Sequence, residues 1–187
     1  EFRRVLFRST VSEAWAYTNI VESLDHIPEK TGYGIYIYID EHISRYKGNF
    51  QNISEWIYTR PFVRPTHDGE VKFYGTWLEA HPWIVQISRI LHRSMFLKAI
   101  RFNFPPIFES DVAEFIEVMK SVRKGYWKKF GEQNPFIVVL YFQYAAPYAP
   151  VVKKELEKAG IQYLDYSGFM LEQLSDSMLS IPKDGHP

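Results

Sequence analysis

The sequence predicts an α/β domain built on a parallel sheet, and three stretches carry that prediction. YGIYIYID (33–40) and FIVVLYF (136–142) are unbroken runs of β-branched, aromatic and aliphatic residues, the pattern of buried strands. IQYLDY (161–166) follows the second run after a helix-length interval, and strand, helix, strand within about 30 residues is a βαβ unit with parallel strands.

The remaining elements follow in chain order. Residues 11–26 carry a weak helical pattern on Trp15, Ile20, Val21 and Leu24, closed by Pro28 and then by Gly32 and Gly34. The strand at 33–40 ends in Asp40-Glu41-His42. Residues 46–76 hold Gly48, Pro61, Pro65, Asp68-Gly69 and Gly75, and read as loops with short strands at most, within an insertion spanning 46–105. Residues 77–101 place Trp83, Ile84, Ile87, Ile90, Leu91, Phe96, Leu97 and Ile100 at near-helical spacing, decorated by Arg89, Arg93, Lys98 and Arg101. That pattern predicts a helix packed on the domain with a solvated basic edge; its rarer use is a lid or a membrane-surface helix.

A helix capped by Ser110 is predicted to run to Phe130, with Asp111 and Glu114 near its start, Lys128 and Lys129 near its end and Gly131 beyond. Val112, Phe115, Ile116, Met119, Val122, Tyr126, Trp127 and Phe130 form its buried face. Between the last two strands, Pro147 and Pro150 open a short helix through Lys153, Glu157 and Lys158 that Gly160 stops.

Composition narrows the function. The 187 residues carry 22 Lys and Arg against 22 Asp and Glu, with 46% apolar and 17% aromatic residues, which argues for one packed domain and against a nucleic-acid binder. Without cysteine there is no disulfide, zinc-thiolate site or thiol nucleophile, and the compartment stays open. No apolar run approaches the ~18 to 20 residues of a membrane span, and no Gly-rich phosphate loop occurs. A membrane association through a segment upstream of the chain is compatible with all of this. The opening EFRRVLFRS resembles the translation of a synthetic sequencing adaptor, so residues 1–9 are set apart as non-native and 10–187 are expected to be a partial domain, incomplete at both ends.

The chain closes on SIPKDGHP (180–187). Pro187 pushes His186 toward an extended conformation. Side chains two apart on an extended segment point the same way, so the Asp184 carboxylate and the His186 imidazole can lie side by side, with Gly185 free to bend between them. An Asp that accepts from one ring nitrogen leaves the other as a general base. Taken alone, Asp-Gly is also common turn chemistry.

In open parallel sheets, ligands bind beyond the carboxyl ends of the strands, where Asp40-Glu41-His42, Gln143-Tyr144 and the Asp184-His186 loop are all expected to fall. This order resembles the SGNH/GDSL-like hydrolase superfamily. The match is most specific in KKELEKAGIQYLDYSGFMLEQLSDSMLSIPKDGHP, and YIYIDEHISRYKG is similar to a segment found in one branch. The resemblance implies a three-layer α/β/α sandwich of flavodoxin-like, SGNH hydrolase type, with no cofactor and no metal. It implies serine esterase chemistry on a small-molecule or carbohydrate ester, with His186 as base and Asp184 orienting it. Where relatives carry an oxyanion-hole Asn, this chain has Asp40-Glu41-His42, which makes His42 and Asp40 the substrate-facing candidates.

Two departures accompany the resemblance. The family spaces its pair as Asp-x-x-His, whereas Asp184-Gly185-His186 has the one-residue spacing of acetyltransferase-like branches. No Gly-Asp-Ser occurs, and Ser12, Ser23 and Ser44 lack the strand-then-turn context of an exposed nucleophile, so the Ser is expected upstream and the chain itself is expected to be inactive. The alternatives are an O-acetyltransferase acting on a polysaccharide, or a non-catalytic carbohydrate-binding relative that stacks Trp56, Tyr144 and Tyr148 on sugars. Metal sites on Asp40 and His42, or on Asp184 and His186, lack a third ligand at recognisable spacing.

Overall fold

The computed structural model describes residues 3–7, 10–20, 24–25, 27–48, 58–99, 105–141 and 147–166. Its centre is a four-stranded, all-parallel sheet of β1 (Arg3–Phe7), β2 (Gly32–Tyr38), β5 (Phe136–Leu140) and β6 (Gln162–Asp165), laid side by side in that order. The predicted α/β class with a parallel sheet is present. Residues 3–7, set apart in the sequence, pair along the edge of β2 from Arg3 opposite Gly32 to Phe7 opposite Tyr36.

One face of the sheet is defined by register. Gly34, Tyr36 and Tyr38 lie opposite Phe136, Val138 and Leu140, and apart from Gly34 all join one buried core. Helices α1 (Val11–Asn19), α6 (Glu109–Phe130) and α7 (Ala149–Lys158) supply most of the rest, through residues that include Val11, Trp15, Val112, Phe115, Met119, Val122, Val152 and Leu156. On the opposite face Ile35, Ile37, Ile137 and Val139 are half-buried, and Tyr33 and Leu164 are exposed.

Helix α6 comes close to the sheet at Gly34, where a Cβ would stand 3.2 Å from the Tyr126 ring and 2.7 Å from Cδ2 of the neighbouring strand's Phe136. Tyr126 uses the space to donate its hydroxyl to the Gly32 carbonyl at 3.1 Å. Asn134, almost fully buried, fastens the same end: its Oδ1 accepts the Gly32 N–H at 3.0 Å, and its carbonyl accepts Trp127 Nε1 at 3.0 Å.

The β5–α7–β6 unit matches the predicted βαβ, with Pro150 at the start of α7 and Gly160 ending it at φ +58°. Helix α6 begins at Glu109, so Ser110 lies within it; the N-cap is Phe108, whose N–H is accepted by the Asp111 carboxylate at 2.8 Å.

The insertion forms a two-stranded antiparallel hairpin, β3 (Pro61–Pro65) and β4 (Val71–Thr76), followed by α3 (Trp77–Ala80), α4 (Pro82–His92) and α5 (Met95–Ala99). The continuous helix expected over 77–101 is thus three pieces. Pro82 sets the first break, because its ring pushes His81 out of the helical region, to φ −139°, ψ 58°. A second, smaller core of Tyr58, Phe62, Trp77 and Val85 holds the insertion together.

Candidate functional site

A short helix unforeseen in the sequence, α2 (Glu41–Lys47), starts where β2 ends and decides what becomes of the Asp40-Glu41-His42 triplet. Asp40 takes the N-cap position with φ −56°, ψ −31°, half-buried at the carboxyl edge of the sheet. His42 falls on the inner face of α2 beside Ile43 and Tyr46 and is 1% exposed. The two residues expected to share a substrate-facing rim are therefore divided between rim and core. This corrects the placement of His42: helical rotation over two residues replaces the alternation that a continuing strand would impose.

The imidazole is built into the core by aromatic neighbours. His42 Nδ1 and the Tyr36 hydroxyl are joined by a hydrogen bond of 2.9 Å, and the Tyr36 and Tyr38 rings meet it edge-on at 5.5 and 6.1 Å. Burial, helped by the Arg45 charge, lowers the His42 pKa from 6.5 to about 3. Burial likewise pushes both tyrosine phenols up, so Tyr36 and Tyr38 keep their protons.

The sign of the linkage is fixed by that depression. His42 is neutral in the fold, whereas in the unfolded chain it takes a proton below its ordinary value of 6.5. The resulting stability is full above that value and is lost as pH falls from 6.5 toward about 3. Between about pH 7.5 and about pH 4.5 the chain is expected to lose on the order of 2–3 kcal/mol more than His42→Phe does. Urea unfolding of both proteins at both pH values measures the difference, and equal losses would contradict it.

At the carboxyl edge, burial first and then Asp40 and Tyr148 raise the pKa of Tyr38, and burial first and then Asp111 raise that of Tyr148. Asp111, 3% exposed, also receives the Lys47 ammonium. Tyr148 stands at the N-cap of α7, so α1, α2 and α7 all begin on the side where strands end. Of this group the sequence singled out Asp40, along with Tyr148 as a stacking residue. Tyr36 and Tyr38 are signalled only by their alternation in β2, and Asp111 by its position three residues after Phe108.

Ser12 gains a context the sequence did not offer, since β1 precedes it and Thr10 caps α1 through a capping box with Glu13. Its side chain is nonetheless 5% exposed, in the first turn of that helix. Ser44 is also buried, at 6%, and donates to the Glu41 carbonyl at 2.9 Å. Neither presents a nucleophile.

Among the other histidines, His67 lies in the hairpin turn, as predicted, beside Gly69 at φ +79°. His81 packs on Phe62 at 4.7 Å and on Trp77 at 5.4 Å, with its pKa lowered by burial and then by Arg64. Asp184, His186, Ser23, His26, Trp56, Gln143 and Tyr144 lie outside the described residues. Among the described residues, no three His, Asp or Glu side chains are grouped to hold a metal ion.

A groove on α6 lined by Trp15, Ser121, Lys124, Gly125 and Lys128 contains none of the sequence candidates. Comparison of the chain with protein-family models, with curated proteins and with solved structures found no match.

Proposed function

We propose that the chain is part of an acyl-ester hydrolase of the SGNH type, on a three-layer α/β/α sandwich. What supports this reading is the parallel β5–α7–β6 unit, whose strand ends lie at the edge that carries Asp40, followed in sequence by Asp184-Gly185-His186. In a parallel sheet every strand ends on the same side, so a loop after the last strand can return to that edge.

The chemistry assigned to the longer protein is acyl transfer through a serine upstream of Thr10. Its hydroxyl attacks the ester carbonyl, and His186 takes the hydroxyl proton and passes it to the leaving alcohol. Asp184 holds the imidazole in orientation and stabilises its charged form. Water, activated by the same histidine, then releases the acyl group. With its ring in the core, His42 is not the oxyanion donor, and of the two substrate-facing candidates Asp40 is the one left at the carboxyl edge. The single residue between Asp184 and His186 is the spacing of the acetyltransferase-like branches that the chain resembles, and that resemblance supports, as the alternative, transfer of an acetyl group to a sugar hydroxyl in place of water.

The test is labelling with a fluorophosphonate, which traps an activated serine. The protein extended upstream through its preceding strand should be labelled at one serine and should turn over p-nitrophenyl acetate. The 187-residue chain should do neither. An extended protein that is folded, unlabelled and inactive on esters would remove this reading and leave carbohydrate binding.

A further inference from the structure

Helix α4 faces the wrong way for a helix that serves the core. Its inward positions are Val85 and Ser88, 1% and 5% exposed, with Arg89 laid over the Tyr58 ring at 4.8 Å. Its apolar stripe points out: Trp83 is 80% exposed, Ile87 55% and Ile90 72%, at the i, i+4, i+7 spacing of one helical face, with Ile84 beside them. The stripe continues into α5 through Met95 and Phe96, 76% and 70% exposed. The amphipathic period predicted from the sequence is present, but the side expected to pack on the domain is the side left in solvent.

Charge indicates what covers it. In a chain whose acids and bases balance, the stretch from Ala80 to Phe108 contains no Asp or Glu and, besides the inward Arg89, carries Arg93, Lys98 and Arg101. An apolar stripe within an acid-free basic segment complements a surface that is apolar below and anionic above, which describes a bilayer of acidic phospholipid. No described helix is long and apolar enough to cross a membrane, so the fitting geometry is a helix lying in the interface. Trp83 and Phe96 are the side-chain types that settle at headgroup depth and just below it.

We propose that α4 and α5 form a docking surface for an anionic lipid membrane, with Trp83, Ile87, Ile90 and Phe96 entering the headgroup boundary. This surface belongs to the insertion and operates whether or not the domain hydrolyses esters.

The experiment uses the 187-residue chain with vesicles of phosphatidylcholine and phosphatidylglycerol, against vesicles of phosphatidylcholine alone. The chain is expected to sediment with the mixed vesicles, less at high salt, and only weakly with the neutral ones. Its tryptophan emission should shift to the blue on binding, and Trp83→Phe should abolish most of that shift. The double variant Ile87→Glu, Ile90→Glu should lower vesicle binding at least about tenfold while leaving the thermal melt unchanged, since both side chains are exposed. Absence of binding to the mixed vesicles would overturn the proposal, as would undiminished binding by the folded double variant. A dimer in solution that the same two substitutions dissociate would also overturn it, by assigning the stripe to a second copy of the chain.

Discussion

Replacing Phe115 by alanine is expected to remove about 3–5 kcal/mol of stability, the range for deleting a fully buried phenylalanine. The residue is 0% exposed and stands between α6 and the sheet. Its ring meets Tyr36, Tyr38 and Tyr46 edge-on at 6.4, 5.8 and 5.8 Å. Each such aromatic contact is worth about 0.5–1.5 kcal/mol beyond the area it buries, so the loss should lie toward the upper end. The cavity would also open beside the Tyr36–His42 hydrogen bond and weaken the exclusion of water that keeps the imidazole neutral. For a chain of this size the melting temperature should fall by about 10–15 °C, and Phe115→Leu should recover most of it. Urea unfolding gives the free energy directly. A loss below about 1 kcal/mol would mean that α6 does not pack on β2 as described.

The second large effect belongs to catalysis. In the upstream-extended protein, His186→Ala is expected to lower kcat/KM on ester substrates by about 10²–10⁴, the range attributed to a positioned general acid–base. Asp184→Asn should reduce the rate as well, since the imidazole would lose the group that fixes its orientation. A thermal melt of both variants separates loss of chemistry from loss of fold. His42→Phe provides the contrast: it should alter the pH dependence of stability and leave ester turnover within a few-fold. An unchanged rate in His186→Ala would reduce Asp184-Gly185-His186 to turn chemistry.

What could be read in advance follows from how far each signal is local. β2 and β5 are continuous apolar runs bounded by Gly, Pro or Asp, β6 follows a helix-length interval after β5, and α6 and α7 carry charges, proline and glycine where helix ends require them, so both types of element are visible in short windows. Helix α2 is seven residues long and begins immediately after a strand, leaving no room for a periodic pattern. Missing it displaced His42 from the core to the rim. The stripe on α4 was visible, but periodicity defines a stripe without saying which side of it meets the domain. That choice is made by Tyr58, Phe62 and Trp77, which are distant in sequence from the helix they hold or lie on other elements. The candidate pair Asp184 and His186 was legible only as a spacing and as a resemblance, because a convergent site is a property of the folded edge.

The order of strands also has a kinetic consequence. β5, α7 and β6 are consecutive, as are β1, α1 and β2, so each of these two pairings closes only the connection through one helix. The pairing of β2 with β5, by contrast, must bring Gly34 to Phe136 across the whole insertion and α6. Closing a long loop costs entropy before any contact repays it, and sheets rich in such contacts fold slowly. The β1–α1–β2 and β5–α7–β6 units can thus each form locally, leaving the β2–β5 pairing to join them. Until those two units meet, Phe136, Val138 and Leu140 lack their partners from Gly34, Tyr36 and Tyr38, and their docking is expected to be slower than the formation of either unit.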